Sequence, residues 1–115
     1  PVGDPALYAD GMGADFLPFD TADEQALALR SPRHWLGSVR TPLFVIEGDK
    51  SPGNADQLAM METVNRNPLI HFRLAKGHDH FSVLAPVTRL LAERIAADTG
   101  PAPAITLDEA EIAAR

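Results

Sequence analysis

The run "LFVIEG", residues 43–48, is apolar for four residues, carries one acid and ends in glycine. A continuous run of that length suits a strand buried on both faces, which is what a parallel sheet requires. The residues after it narrow the choice further. In "ADQLAMMETVNRN" the positions Leu58, Met61 and Val64 fall on one helical face, and Asn54 and Gln57 have capping-box spacing. Pro68 ends that helix, and "LIHFRLA" alternates enough to predict a second strand. Strand, helix and strand in this order imply a βαβ crossover, and therefore an α/β architecture: a parallel sheet with flanking helices.

The flanks divide the chain into three parts. Residues 1–20 are rich in glycine, proline and aspartate and predict a loop-rich lead-in. Residues 21–98 form the main segment. It opens with "TADEQALALRS", where Thr21 and Glu24 form a second capping box ahead of a helix of two to three turns. "SPRHWLGSVRTP" follows, with a short helical turn around Trp35. The segment closes with "APVTRLLAERIAA", which predicts a helix with Pro86 near its first position and a buried stripe of Leu84, Val87, Leu91 and Ile95. Residues 99–115, "TGPAPAITLDEAEIAAR", are small and Pro/Ala-rich and are expected to be a poorly ordered tail. Two strands leave every strand an edge, so the sheet is expected to be incomplete as given, the last part of a longer domain. A first residue that is Pro1 rather than methionine points to the same expectation.

Composition removes several function classes. The net charge of −6 argues against nucleic-acid and anionic-membrane partners, which need basic surface. No apolar run approaches the roughly 20 residues that span a bilayer. The absence of cysteine excludes disulfides, thiolate nucleophiles and cysteine–zinc sites. His78 and His80 flank Asp79 and offer two or three ligands to a metal, but no second ligand cluster exists at a recognisable spacing. No metal and no cofactor are therefore expected. His34 beside Trp35 and His71 within the second predicted strand read as packed or surface residues, and Met60–Met61 as core filling.

In an open parallel sheet, chemistry sits in loops beyond the carboxyl ends of the strands. Here those loops are "EGDKSPGN" and "KGHDHFS", one bearing acids and one bearing histidines. An acid that orients an imidazole, and an imidazole that accepts a proton, form the supporting half of a catalytic triad. The order "LRSPRHWLGSVRTPLFVIEGD", helix, strand, "GHDHF" resembles the C-terminal part of an α/β-hydrolase, over roughly residues 28–97. It is most similar to the prolyl-oligopeptidase-like and dienelactone-hydrolase-like serine hydrolases. The resemblance implies that the chain holds the last two strands of that fold. His80, directly before Phe81, takes the place of the catalytic base, with His78 as rival. The acid's usual place, counted from Gly48, holds Ser51, so Asp49 is the expected orienting acid, with Glu47 and Asp56 as alternatives. A G-x-S-x-G nucleophile elbow should lie upstream, and none occurs; Ser31, Ser38, Ser51 and Ser82 all lack that context.

The implied activity is ester or peptide-bond hydrolysis through an acyl-serine, with the rest of the hydrolase domain as partner and this chain inactive alone. The alternative is a non-catalytic, hydrolase-like interaction or scaffold domain, which the missing elbow and the displaced acid both favour. Substrate, compartment and oligomeric state leave no mark on the sequence.

Overall fold

The computed structural model describes residues 3–7 and 12–115. In chain order its helices and strands are α1 (Glu24–Leu29), β1 (Leu43–Gly48), α2 (Pro52–Val64), β2 (Ile70–Ala75), α3 (Leu84–Ala97) and α4 (Glu109–Ala113). Single 3-10 turns occur at Ala14–Phe16, Pro32–His34 and Leu36–Ser38. β1 and β2 pair in parallel, from Leu43 opposite Ile70 to Gly48 opposite Ala75. The arrangement is thus a small two-stranded parallel sheet with helices, of the α/β kind expected.

Alternation along the strands builds two cores. Val45, Ile70, Phe72 and Leu74 face α2, where Leu58 and Met61 meet them, with Leu36 closing the cluster. Phe44, Ile46 and Ala75 belong to the second cluster, with Val83, Val87 and Leu90 around the start of α3 and Leu107 and Ile112 around α4. β1 therefore supplies apolar side chains to both clusters, which accounts for its unbroken apolar run. Its burial remains partial over Phe44, Val45 and Ile46 because its outer edge has no strand partner among the described residues.

Several local expectations change. The cap of α1 is Asp23, whose Oδ1 accepts from the N–H groups of Gln25 and Ala26 at 3.0 Å, and not Thr21. A carboxylate so placed satisfies two free N–H groups and meets the positive end of the helix dipole. α2 starts at Pro52, where a missing N–H costs nothing, so Asn54 lies inside the first turn. Gln57, the other half of the expected box, is buried and acts over long range. Its Oε1 accepts from Gly3 N at 2.8 Å and Asp4 N at 2.9 Å, and its Nε2 donates to Asp4 O at 3.2 Å. Residues 3 and 4 of the lead-in are thereby pinned to α2.

The stripe expected to be buried on α3 faces out. Leu84, Leu91 and Ile95 are exposed, whereas Pro86 and Leu90 are buried and Val87 is half-buried. Two apolar stripes lie side by side on this helix, and periodicity cannot choose between them. The contact with α4 decides. Val64 on α2 is likewise exposed, unlike Leu58 and Met61.

The last residues depart most from expectation. Leu107 and Ile112 are buried, the latter completely. Arg73 Nε donates to Leu107 O at 2.8 Å, and Leu74 N donates to Glu109 Oε1 at 2.8 Å. Residues 107–109 thus take up donors along β2, and the segment read as a tail closes one core. Among the described residues no helix is long and apolar enough to cross a membrane.

This packing predicts that Ile112→Ala lowers the unfolding free energy by about 2–5 kcal/mol, as for other fully buried aliphatic truncations. Urea denaturation followed by circular dichroism would measure it. A loss of a few tenths of a kcal/mol would mean that α4 does not close the core.

Candidate active site: a buried glutamate and a half-exposed histidine

β1 ends in Glu47 and Gly48, both buried. Glu47 shares the sheet face of Val45, and its side chain is 1% exposed. A carboxylate withdrawn from water this far needs donors, because an unpaired buried charge costs several kcal/mol. The N–H of Gly48 donates to its Oε1 at 3.0 Å. His80 supplies the ring contact: Nδ1 lies 2.8 Å from Oε2 and 3.1 Å from Oε1. The imidazole itself remains 45% exposed. Burial pushes the Glu47 carboxyl upward, but its hydrogen bonds, among them those from Gly48 and His80, outweigh burial and hold it below the ordinary value of 4.5. An ionised carboxylate only accepts, so the neutral imidazole carries its proton on Nδ1 and presents a lone pair on Nε2. No hydrogen bond from the described residues reaches Nε2. An imidazole in that state can accept a proton on Nε2, and this ring is open to solvent.

The loop that carries His80 is held at several points. Gly77 adopts φ +84°, a left-handed conformation that side chains resist, and turns the chain back after β2. Its N–H donates to Asp49 Oδ1 at 2.8 Å. His78 O accepts from Lys50 N at 2.9 Å, and Ser51 Oγ accepts from His80 N at 2.8 Å. Asp79 opens the next turn: its Oδ1 accepts from the N–H groups of Phe81 and Ser82, both at 2.8 Å. Those N–H groups of Ser82 and Phe81 hold the Asp79 carboxyl below its ordinary value. The Phe81 ring stands edge-on to His80, with centroids 5.1 Å apart.

Gly48 is the point of closest approach. A Cβ built there would lie 2.6 Å from His78 C and 2.7 Å from Asp79 O, distances at which backbone must move. Only glycine lets the histidine loop lie across the end of β1.

The structure therefore brings together one expected residue and one alternative. His80 lies against the end of β1 with its ring on a buried carboxylate. The acid on its ring is Glu47, while Asp49, the expected acid, makes no hydrogen bond or ion pair with the ring and instead fastens Gly77. Asp56 is an exposed residue of α2. His78 is half-buried and contributes its carbonyl to the loop, with no hydrogen bond to its ring among the described residues. Among those residues no three His, Asp or Glu side chains gather as a metal-ligating group. Counting from Gly48 ranked Asp49 ahead of Glu47, because it looks for the acid in the loop and Glu47 lies inside the strand. The available signal was the acid itself, one charge in an otherwise apolar run. His34 is exposed, and His71 packs its ring 5.0 Å from that of Phe44. Compared with protein-family models, curated proteins and solved structures, the chain matches none.

Two outcomes follow from this geometry. Gly48→Ala is expected to displace the histidine loop, read as large amide shift changes in NMR spectra at residues 77–82; changes confined to residue 48 would contradict the close approach. The Glu47 carboxyl is depressed in the folded state, so its stabilisation is present above its unfolded value and is lost as pH falls through the folded one. Stability measured by denaturant should therefore fall as pH drops below 4.5, and Glu47→Gln should flatten that slope. An unchanged slope in the variant would show that Glu47 is not held as described.

Proposed function

We propose that Glu47 and His80 are the proton-handling half of a serine-hydrolase active site, on the C-terminal part of an α/β-hydrolase sheet. The observation that carries this reading is the buried carboxylate gripping Nδ1 of an imidazole whose Nε2 takes no hydrogen bond among the described residues, at the carboxyl ends of two parallel strands. In this role His80 Nε2 accepts the proton of a serine hydroxyl as the oxygen attacks the carbonyl carbon of an ester or peptide bond. Glu47 stabilises the imidazolium that forms. The proton then passes to the departing alcohol or amine, leaving an acyl-serine. Water attacks that ester with His80 again as base, which regenerates the serine.

The attacking serine and the oxyanion donors come, in this reading, from polypeptide outside the 115 residues. The two serines in the histidine loop's own network are occupied otherwise: Ser51 Oγ and Ser82 Oγ each accept a backbone N–H, from His80 and Asp79, at 2.8 Å. Ser31 is buried and donates to Leu27 O, and Ser38 lies in a 3-10 turn before β1. The edge of β1, which has no strand partner among the described residues, and the exposed Leu84, Leu91 and Ile95 support the same view, since a neighbouring strand and a packed face are what a larger domain supplies.

The test is labelling by a fluorophosphonate. The chain alone should not react. A longer polypeptide carrying these residues after a G-x-S-x-G elbow should label at that serine, and His80→Ala should slow labelling by on the order of 10³-fold or more. Labelling that survives His80→Ala would contradict the proposal and leave a hydrolase-like interaction domain as the better reading.

A further inference from the structure

The end of the sheet opposite His80 holds a cavity of about 490 Å³, between the turn leading into β1 and the loop from α2 to β2. Its wall includes Arg33, His34, Arg40 and Arg66 and, among the described residues, no acidic one, in a chain whose net charge is −6. The three arginines are not equivalent. Arg33 Nη2 lies 2.9 Å from Asp4 Oδ2, so its charge is already matched. Arg40 and Arg66 meet no carboxylate among the described residues. Arg40 Nη1 donates to Gly37 O at 2.7 Å, and Arg66 Nη1 donates to Asn65 O at 2.7 Å and Thr63 O at 3.0 Å. Backbone carbonyls restrain the two guanidinium groups without neutralising them. The Nε and Nη2 donors of both are without hydrogen bonds among the described residues.

The wall between them is fixed. Asn67 Nδ2 donates to Leu36 O at 2.9 Å and Val39 O at 3.0 Å, while its Oδ1 accepts from Leu69 N at 3.0 Å. Asn67 thereby ties the segment carrying Arg40 to the loop carrying Arg66, and an arriving ligand need not order the site first. We propose that this cavity binds a small phosphate-bearing anion, with Arg40 and Arg66 as its ligating side chains. Planar guanidinium forks match phosphate oxygens in paired hydrogen bonds, and two unmatched positive charges suit a dianion better than a single carboxylate. The acidic balance of the rest of the chain opposes a long polyanion such as nucleic acid and leaves a compact ligand as the fit. Six-residue strands separate this cavity from the His80 loop by about 20 Å, so the anion takes no part in proton transfer there. The inference is independent of the hydrolase proposal.

Calorimetric titration of the 115-residue chain with sodium pyrophosphate at low salt tests it. Saturable one-to-one binding is expected, weakened at least about tenfold in the double variant Arg40→Gln/Arg66→Gln. The double lysine variant, which keeps both charges but not the forks, should fall between the two, and His80→Ala should bind as the unaltered chain does. Circular dichroism of the glutamine variant should be unchanged, because both side chains are exposed. No saturable heat up to about 10 mM pyrophosphate, or equal affinity in the glutamine variant, would overturn the proposal.

Discussion

The histidine loop is organised by the burial of one carboxylate. Glu47 leaves water at the tip of β1, and its charge is compensated in part by its own Gly48 N–H and by the ring of His80. To bring that ring over the strand end, the backbone of residues 78 and 79 must cross directly above Gly48, where a side chain would not fit. Gly77 must turn left-handed to start the crossing. Asp49, Ser51 and Ser82 then fasten the loop through backbone N–H groups rather than through the ring. The polar residues crowded around position 80 are thus mostly scaffold, and only the Glu47–His80 pair has the form of chemistry.

The two ends of the sheet differ in character. At the carboxyl end a buried acid faces a half-exposed base. At the amino end two restrained arginines, unmatched among the described residues, share a cavity wall in which those residues place no acid. Between them the sheet is narrow. Residues 107–109 cover part of β2, while among the described residues β1 has a strand on one side only. Apolar side chains on the outer face of α3 stay in solvent, as does Phe81 beside the catalytic candidate. A surface of this kind fits a protein whose chemistry is completed by further polypeptide, which is the sense of the proposed hydrolase role.

Much of this was legible in the sequence. The apolar run at 43–48, the helix after it and the alternation at 70–75 were enough to predict a parallel strand pair, because strand burial and helix periodicity are local signals. The site was legible in part. His80 stood out by its setting, whereas the carboxylate on its ring, Glu47, was only an alternative to Asp49: it lies in the strand and meets the ring 33 positions away. What the sequence concealed was of that long-range kind. Gln57 looked like a helix cap and binds residues 3 and 4; Leu84, Leu91 and Ile95 looked buried and are not. The Ala-rich end looked loose, yet Leu107 and Ile112 complete a core. In each case two local readings were close in energy, and a tertiary partner chose between them.

The central claim is that Glu47 fixes the His80 ring with its proton on Nδ1 and its lone pair on Nε2. Nitrogen NMR of the imidazole, with ¹⁵N-labelled histidine at a pH where the ring is neutral, reads this directly. The account predicts a protonated Nδ1 and an unprotonated Nε2 for His80, a preference that is lost in Glu47→Gln. A ring that is mainly protonated on Nε2, or a tautomer balance unchanged by removing the carboxylate, would contradict it.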